Sequence, residues 1–193
     1  TGSRNVAIGT FDGSTLPALY ANTTGANNIA IGTGALRTNT NQSNNTAVGN
    51  LALTLSSNAA NNTAVGSSAG AAVTDGFQNT ILGASAGAIS TGDQNVSVGF
   101  YSSGGAISTG NTNTSVGYAA HFEITSGSNN TALGSNAGRS ASPGGSITTG
   151  SNIITLGNND VTAANIKVDW TVSSDQRDKT DFTALDIGLD FVK

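Results

Sequence analysis

The sequence predicts an all-β chain wound as a parallel solenoid of about nine short coils, and three observations carry that prediction. A five-residue phrase recurs: NTAVG from Asn45 and again from Asn62, NTILG from Asn79, NVSVG from Asn95. The closing glycines, Gly9, Gly32, Gly49, Gly66, Gly83, Gly99, Gly117, Gly134 and Gly157, are spaced 23, 17, 17, 17, 16, 18, 17 and 23 residues apart. Within the phrase, residue types alternate with the two-residue period of a strand. Short fixed periods mark stacked repeats, in which each unit buries its apolar surface only against its neighbours.

Each strand is read from its columns. Just before the Gly stand Ile8, Ile31, Val48, Val65, Leu82, Val98, Val116, Leu133 and Leu156, all aliphatic. Three before it stand Val6, Ile29, Thr46, Thr63, Thr80, Val96, Thr114 and Thr131, all β-branched. Between them sit Ala7, Ala30, Ala47, Ala64, Ile81, Ser97, Ser115 and Ala132, nearly all small. One face of the strand is therefore aliphatic and the other small. The expectation is that the aliphatic face fills the coil and the small face meets another backbone.

The turns follow. Asn5, Asn28, Asn45, Asn62, Asn79, Asn95, Asn113 and Asn130 hold one register, where Asn suits a left-handed corner and stacked amides can bond along the column. Alanines after the Gly, at Ala35, Ala52, Ala69, Ala86, Ala120 and Ala137, predict a second, shorter strand per coil. Both prolines, Pro17 and Pro143, fall in the two 23-residue intervals. Residues 10–27 and 138–151 are accordingly expected as enlarged surface turns that tolerate deletion.

A coil this small encloses little, and stacked coils rise about 4.8 Å, so eight steps give a thin rod of roughly 38 Å. Small units need staples or partners. The chain has no Cys, so association is expected, with the small-residue face as its surface.

The phrase N-x-A-[VI]-G-x-x-A with Gly-rich turns resembles the YadA-like head repeat of trimeric autotransporter adhesins over residues 5–157. That resemblance implies a left-handed parallel β-roll packed as a parallel homotrimer. The coils here are a few residues longer than the commonest form of the family.

After Gly157 the character changes: residues 151–193 hold seven of the eleven acids and four of the seven basic residues. Ile166 to Val172 alternates strictly and predicts a half-buried strand, with Trp170 as a packing anchor. Leu185, Leu189 and Val192 fall at helical spacing. The domains read as a β-roll over 1–157, a β connector over 158–173 and a distinct segment over 174–193. The last segment, with Ser174, Asp175, Arg177 and Lys179 in an S-D-x-R-x-K pattern, resembles the start of the endosialidase-type intramolecular chaperone of phage tail fibres. The resemblance implies single-turnover self-cleavage, with Ser174 attacking the Ser173–Ser174 bond and Lys179 as base. Asp175, Asp178 and Asp181 would raise the pKa of Lys179, so activation has to come from elsewhere.

Together the resemblances imply a virion structural protein: a trimeric tail-fibre or tail-appendage segment, extracellular, contacting other virion or tail proteins and adhering to a host-surface glycan or receptor. The alternative is the head of a bacterial trimeric adhesin, against which stands the missing heptad stalk. With net charge −4 and scattered Lys and Arg, no nucleic acid is expected as partner. No run of about 18 apolar residues occurs, so membrane insertion is not expected either. The absent initiator Met reads as a fragment or processed chain. In the first 150 residues Asp12, Asp75, Asp93 and Glu123 lie far apart in the repeat, so no glycosidase pair and no enzyme is expected. With one His and no Cys, neither metal nor cofactor is expected. The candidate ligand site is aromatic: Phe100, Tyr101, Tyr118, His121 and Phe122 follow successive anchoring glycines and should stack on adjacent coils. The same rings would also suit a cleft between protomers.

Overall fold

A strand of three residues cannot stand alone, and here each is held by the identical strand one coil on. The computed structural model describes residues 2–11, 13–104 and 109–167. The chain divides into two compact units, Thr1–Thr162 and Ala163–Lys193. The first carries β1 (Val6–Ile8), β2 (Ile29–Ile31), β3 (Thr46–Val48), β4 (Thr63–Val65), β5 (Thr80–Leu82), β6 (Val96–Val98), β7 (Thr114–Val116), β8 (Thr131–Leu133) and β9 (Ile154–Leu156). Each pairs in parallel with the next, giving one nine-stranded sheet in chain order. The rest of each coil supplies the crossover that a parallel pair requires. The fold is an all-β parallel solenoid, without a helix among the described residues. The register keeps the columns intact, as where Thr46, Ala47 and Val48 lie beside Thr63, Ala64 and Val65.

The two faces are the reverse of the expectation. Ala30, Ala47, Ala64, Ile81, Ser97, Ser115 and Ala132 are fully enclosed. The aliphatic and β-branched columns face outward: Ile8 is 59 % exposed, Leu82 47 % and Leu133 42 %. Val48, Val65, Val98 and Val116 are half-buried. The reason is width. A coil of 17 residues closes so tightly that its sheet has room inside for Ala or Ser. Larger side chains enter from the opposite wall, where Leu36 and Leu53 are fully buried. The small-residue face therefore cannot be an association surface.

Interior volume is matched coil by coil. Where the strand carries Ile81, the opposite wall carries Gly70 and Gly87, and a Cβ on either would come within 2.9 Å of the Ile81 side chain. That is closer than packed atoms tolerate.

From Asn28 onward the Asn column is buried, and its amides are hydrogen-bonded, as buried amides must be. Asn62 Oδ1 accepts the Asn79 backbone N–H at 2.8 Å, and Asn62 Nδ2 donates to Gly76 O at 2.8 Å. Asn45, Asn79, Asn95 and Asn113 repeat both contacts with their own successors. The left-handed corner lies one residue earlier than expected, at Asn27, Asn44, Asn61, Gln78 and their equivalents, with φ between 57° and 63° at these four. The anchoring glycines have a separate cause. Gly49 and Gly66 have φ of 139° and 136°, and a Cβ there would stand 2.3 and 2.6 Å from the carbonyl oxygen of the next Gly in the ladder. No other residue fits that stack.

The expected second strand is a turn. Leu51 and Leu53 alternate into the left-handed region at φ 57° and 47°, which breaks an extended run. The wall still bonds coil to coil, as in Leu36 N–H to Ala52 O at 3.0 Å. The long intervals are also only partly loop. Ala18 is buried, Leu19 packs on the core, and Leu19 N–H donates to Ala35 O at 3.0 Å. Gly138 and Ile147 are buried too, with Ile147 N–H on Gly138 O at 3.0 Å. Deletion tolerance across all of 10–27 or 138–151 is therefore wrong, because both ranges contain solenoid wall.

In the second unit, residues 163–167 are exposed and outside any strand, including Ile166 and Lys167 of the expected 166–172 strand. The rest of that strand, Trp170, the expected helix start, Ser174 and Lys179 lie outside the described residues.

Candidate functional site

Register alone assembles the aromatic cluster. Gly99 N–H bonds Leu82 O and Gly117 N–H bonds Val98 O, so the residues that follow, Phe100 and Tyr118, sit one coil apart. Their rings stack with centroids 6.0 Å apart and planes inclined by 15°. Tyr101 sets its edge against Phe100 at 4.2 Å and 65°, and meets Phe122 at 5.9 Å and 88°. Edge-to-face and offset contacts of this kind let each ring quadrupole fix its neighbour's orientation. Tyr118 is 53 % exposed and Phe100 46 %. The positions corresponding to Phe100 and Tyr118 in earlier coils are Thr33, Asn50, Ser67 and Ala84, so these two rings stand in a column that is otherwise small and polar.

Two residues that sequence reasoning did not attach to this patch complete it. The Arg139 guanidinium lies 4.9 Å from the Phe122 ring centre, a cation–π distance. Arg139 also pairs with Glu123 at 3.6 Å and donates to Asn136 Oδ1 at 2.9 Å. Ser146 donates to Glu123, tying the Pro143 loop to the same place. Glu123 is the only Glu of the chain, and Arg139 its only basic residue between Arg37 and Lys167. Their rarity was the available signal. Toward the N-terminal end, a shallow groove of about 200 Å³ runs past Ser68, Ser85, Ala88 and Gly104, with no charged residue on its walls.

His121 does not join the rings. It takes the wall position held by Leu53 in an earlier coil, at a similar left-handed φ of 50°, and its side chain points into the solenoid with no exposed surface. Its Nδ1 lies 2.9 Å from Ser115 Oγ, to which Ser103 Oγ donates at 2.8 Å. Burial pushes its pKa down to about 4. Of the five residues read as a ligand site, four come together outside and one is interior.

Among the described residues no group of three His, Cys, Asp or Glu side chains converges as a metal site. No helix among them is long and apolar enough to cross a membrane. Asp75 and Asp93 are engaged with the preceding coil, accepting from Asn58 Nδ2 and from the Phe77 backbone N–H, each at 2.7 Å. The Asn58 bond holds the Asp75 carboxyl below its ordinary pKa. Comparison with known proteins adds no relative: no protein-family model, no curated protein and no solved structure matches the chain.

Proposed function

We propose that this chain is a segment of a trimeric virion appendage, a tail fibre or tail-associated fibre that projects toward the host cell and adheres to it. The observation that carries the fibrous reading is the outward aliphatic stripe. Val6, Ile8, Ile29, Leu82, Leu133, Ile154 and Leu156 are each at least 38 % exposed, on one face of one continuous sheet. A contiguous apolar surface of this kind marks an interface, and its parallel rows suit identical rows from other copies. Side-by-side packing of three left-handed rolls would cover it. The association surface is thus the aliphatic face, in place of the alanine face expected from the sequence.

The appendage reading rests further on the Ser174–Lys179 pattern and its resemblance to a tail-fibre chaperone. Adhesion would fall to the Phe100, Tyr101, Tyr118 and Phe122 rings, with a surface glycan as the natural ligand of exposed aromatic faces. The head of a bacterial trimeric adhesin is the alternative, and it shares everything except the chaperone-like segment. Self-cleavage before Ser174 belongs to the first reading, and a full-length gene product of unchanged mass would remove it.

Two measurements test the proposal. Antibody labelling of intact particles should place the chain on a projecting appendage; label confined to a bacterial surface would select the alternative. Val65→Asp should leave the circular-dichroism spectrum unchanged while sedimentation shifts from trimer to monomer. A wild-type chain that is folded and monomeric at micromolar concentration would end the trimer reading.

A further inference from the structure

Most of the solenoid interior is apolar, and one stretch is not. β2, β3 and β4 place Ala30, Ala47 and Ala64 inside, whereas β6 and β7 place Ser97 and Ser115. On the opposite wall, Leu36 and Leu53 give way to Gly70, Gly87, Ser103 and His121, each donating its N–H to the coil that follows. His121 fills the space left by Gly138, where a Cβ would fall 2.5 Å from the imidazole Cδ2.

The proton count of this cluster is tight. Ser115 accepts from Ser103 and has one proton, which goes to His121 Nδ1. The neutral ring then carries its own proton on Nε2, which is buried without a partner among the described residues. Protonating Nδ1 turns the Ser115 contact round. The ring would donate, the Ser115 proton would need a new acceptor, and a cation would sit in a dry interior with Nε2–H still unpaired. No anion among the described residues compensates. The charged and titratable side chains of the three surrounding coils are Asp93, Tyr101, Tyr118, Glu123 and Arg139, and none bonds to the imidazole. Glu123 and Arg139 pair with each other at the surface.

We propose that the Ser103–Ser115–His121 chain is an acid-operated release: protonation of His121 opens the coils of β7 and β8, while the Leu-filled coils of β2 and β3 stay closed. Local opening is the expected response, because a solenoid is held by nearest-neighbour contacts and can open in part. This goes beyond the appendage reading and does not depend on it.

The direction follows from linkage. Burial holds the imidazole at about 4, and opening returns it to its ordinary 6.5. Above 6.5 neither form binds the proton and closure is at full strength. As pH falls from 6.5 to about 4, the open form gains a proton that the closed form refuses, and closure weakens about tenfold per pH unit. Below that window nothing further is lost.

The molecule supplies its own control. Leu36 and Leu53 occupy the His121 position at φ 49° and 47°, and Ala30 and Ala47 occupy the Ser115 position in those same coils, so Ser115→Ala/His121→Leu rebuilds a coil type already present. Limited proteolysis of the whole chain, mapped by mass, should show cleavage within 114–147 rising steeply in acid for the wild type and staying flat in the double variant. Equal acid dependence in both would overturn the proposal. Should the double variant not fold, the single His makes a second test by NMR. The expected result is a ring titrating well below 6.5, with loss of dispersed amide signals from 114–147 as it does. A midpoint near 6.5, or a spectrum unchanged through the titration, overturns it.

Discussion

The coils around Leu36 and Leu53 and the coils around Ser103 and His121 share one backbone and differ in what fills it. Leu53 N–H reaches Ala69 O at 2.9 Å, and His121 N–H reaches Ala137 O at the same 2.9 Å. The wall residue is left-handed in both, at φ 47° and 50°. One interior is Leu against Ala; the other is imidazole against hydroxyls, with Ser97 Oγ and His121 Nε2 lacking partners. The backbone ladder is indifferent to its contents. Local stability in this solenoid is set by side chains that the repeat leaves free to vary.

Three kinds of substitution probe that comparison. The largest effect is expected where the two regions agree. Ala64→Arg or Ala132→Arg puts a long cation at a fully enclosed strand position next to one of the two coil types. The cooperative thermal transition should vanish from the melting curve, in contrast to Val65→Asp on the outward face. A soluble chain with the wild-type melt would mean the faces are assigned wrongly. Next comes Leu53→Ala, which empties a fully enclosed site. It should cost about 2–5 kcal/mol by chemical denaturation, to the same extent at neutral pH and at about pH 5, since the buried imidazole lies in the other coil type. The smallest change has the opposite sign. Ser97→Ala removes a buried hydroxyl without a partner among the described residues and installs the residue found in register at β2, β3 and β4. It should stabilise by about 1 kcal/mol, and a loss instead would reveal an undetected partner for that oxygen.

The strands were legible almost residue for residue, because every anchoring Gly is preceded by the same β-branched, small, aliphatic pattern (Ile81 apart), at intervals of 16 to 18 residues except for the first and last intervals of 23. Which face is interior was not. Alternation separates two faces but carries no label for inside, and the aliphatic column is the more hydrophobic one. The deciding quantity is the width of a closed coil, which exists only once Ala47 and Leu53 face each other across it. The Asn column was read as a corner, yet the corner falls on Asn44 and Asn61 while Asn45 and Asn62 turn inward to bond. Adjacent asparagines hide that difference. The four clustered rings were legible from their offset after Gly99 and Gly117. His121 was not, because its column runs Leu, Leu, Leu, Gly, Gly, Ser, His from Leu19 onward and only the stacking hydrogen bonds identify it as one column.

The pairing of Ile81 with Gly70 and Gly87 has a consequence for how the chain counts. A strand phrase that is nearly the same in every coil offers no address: were one coil looped out during winding, the Asn and Gly ladders would close over the gap with equivalent bonds. The filling would not. With the coil of β4 omitted, Ile81 would lose the recess at Gly70 and meet the wall of Leu53, two large side chains where the coil admits one. The odd coil thus works as a parity mark, an irregular entry that makes a miscounted stack detectable by its own misfit.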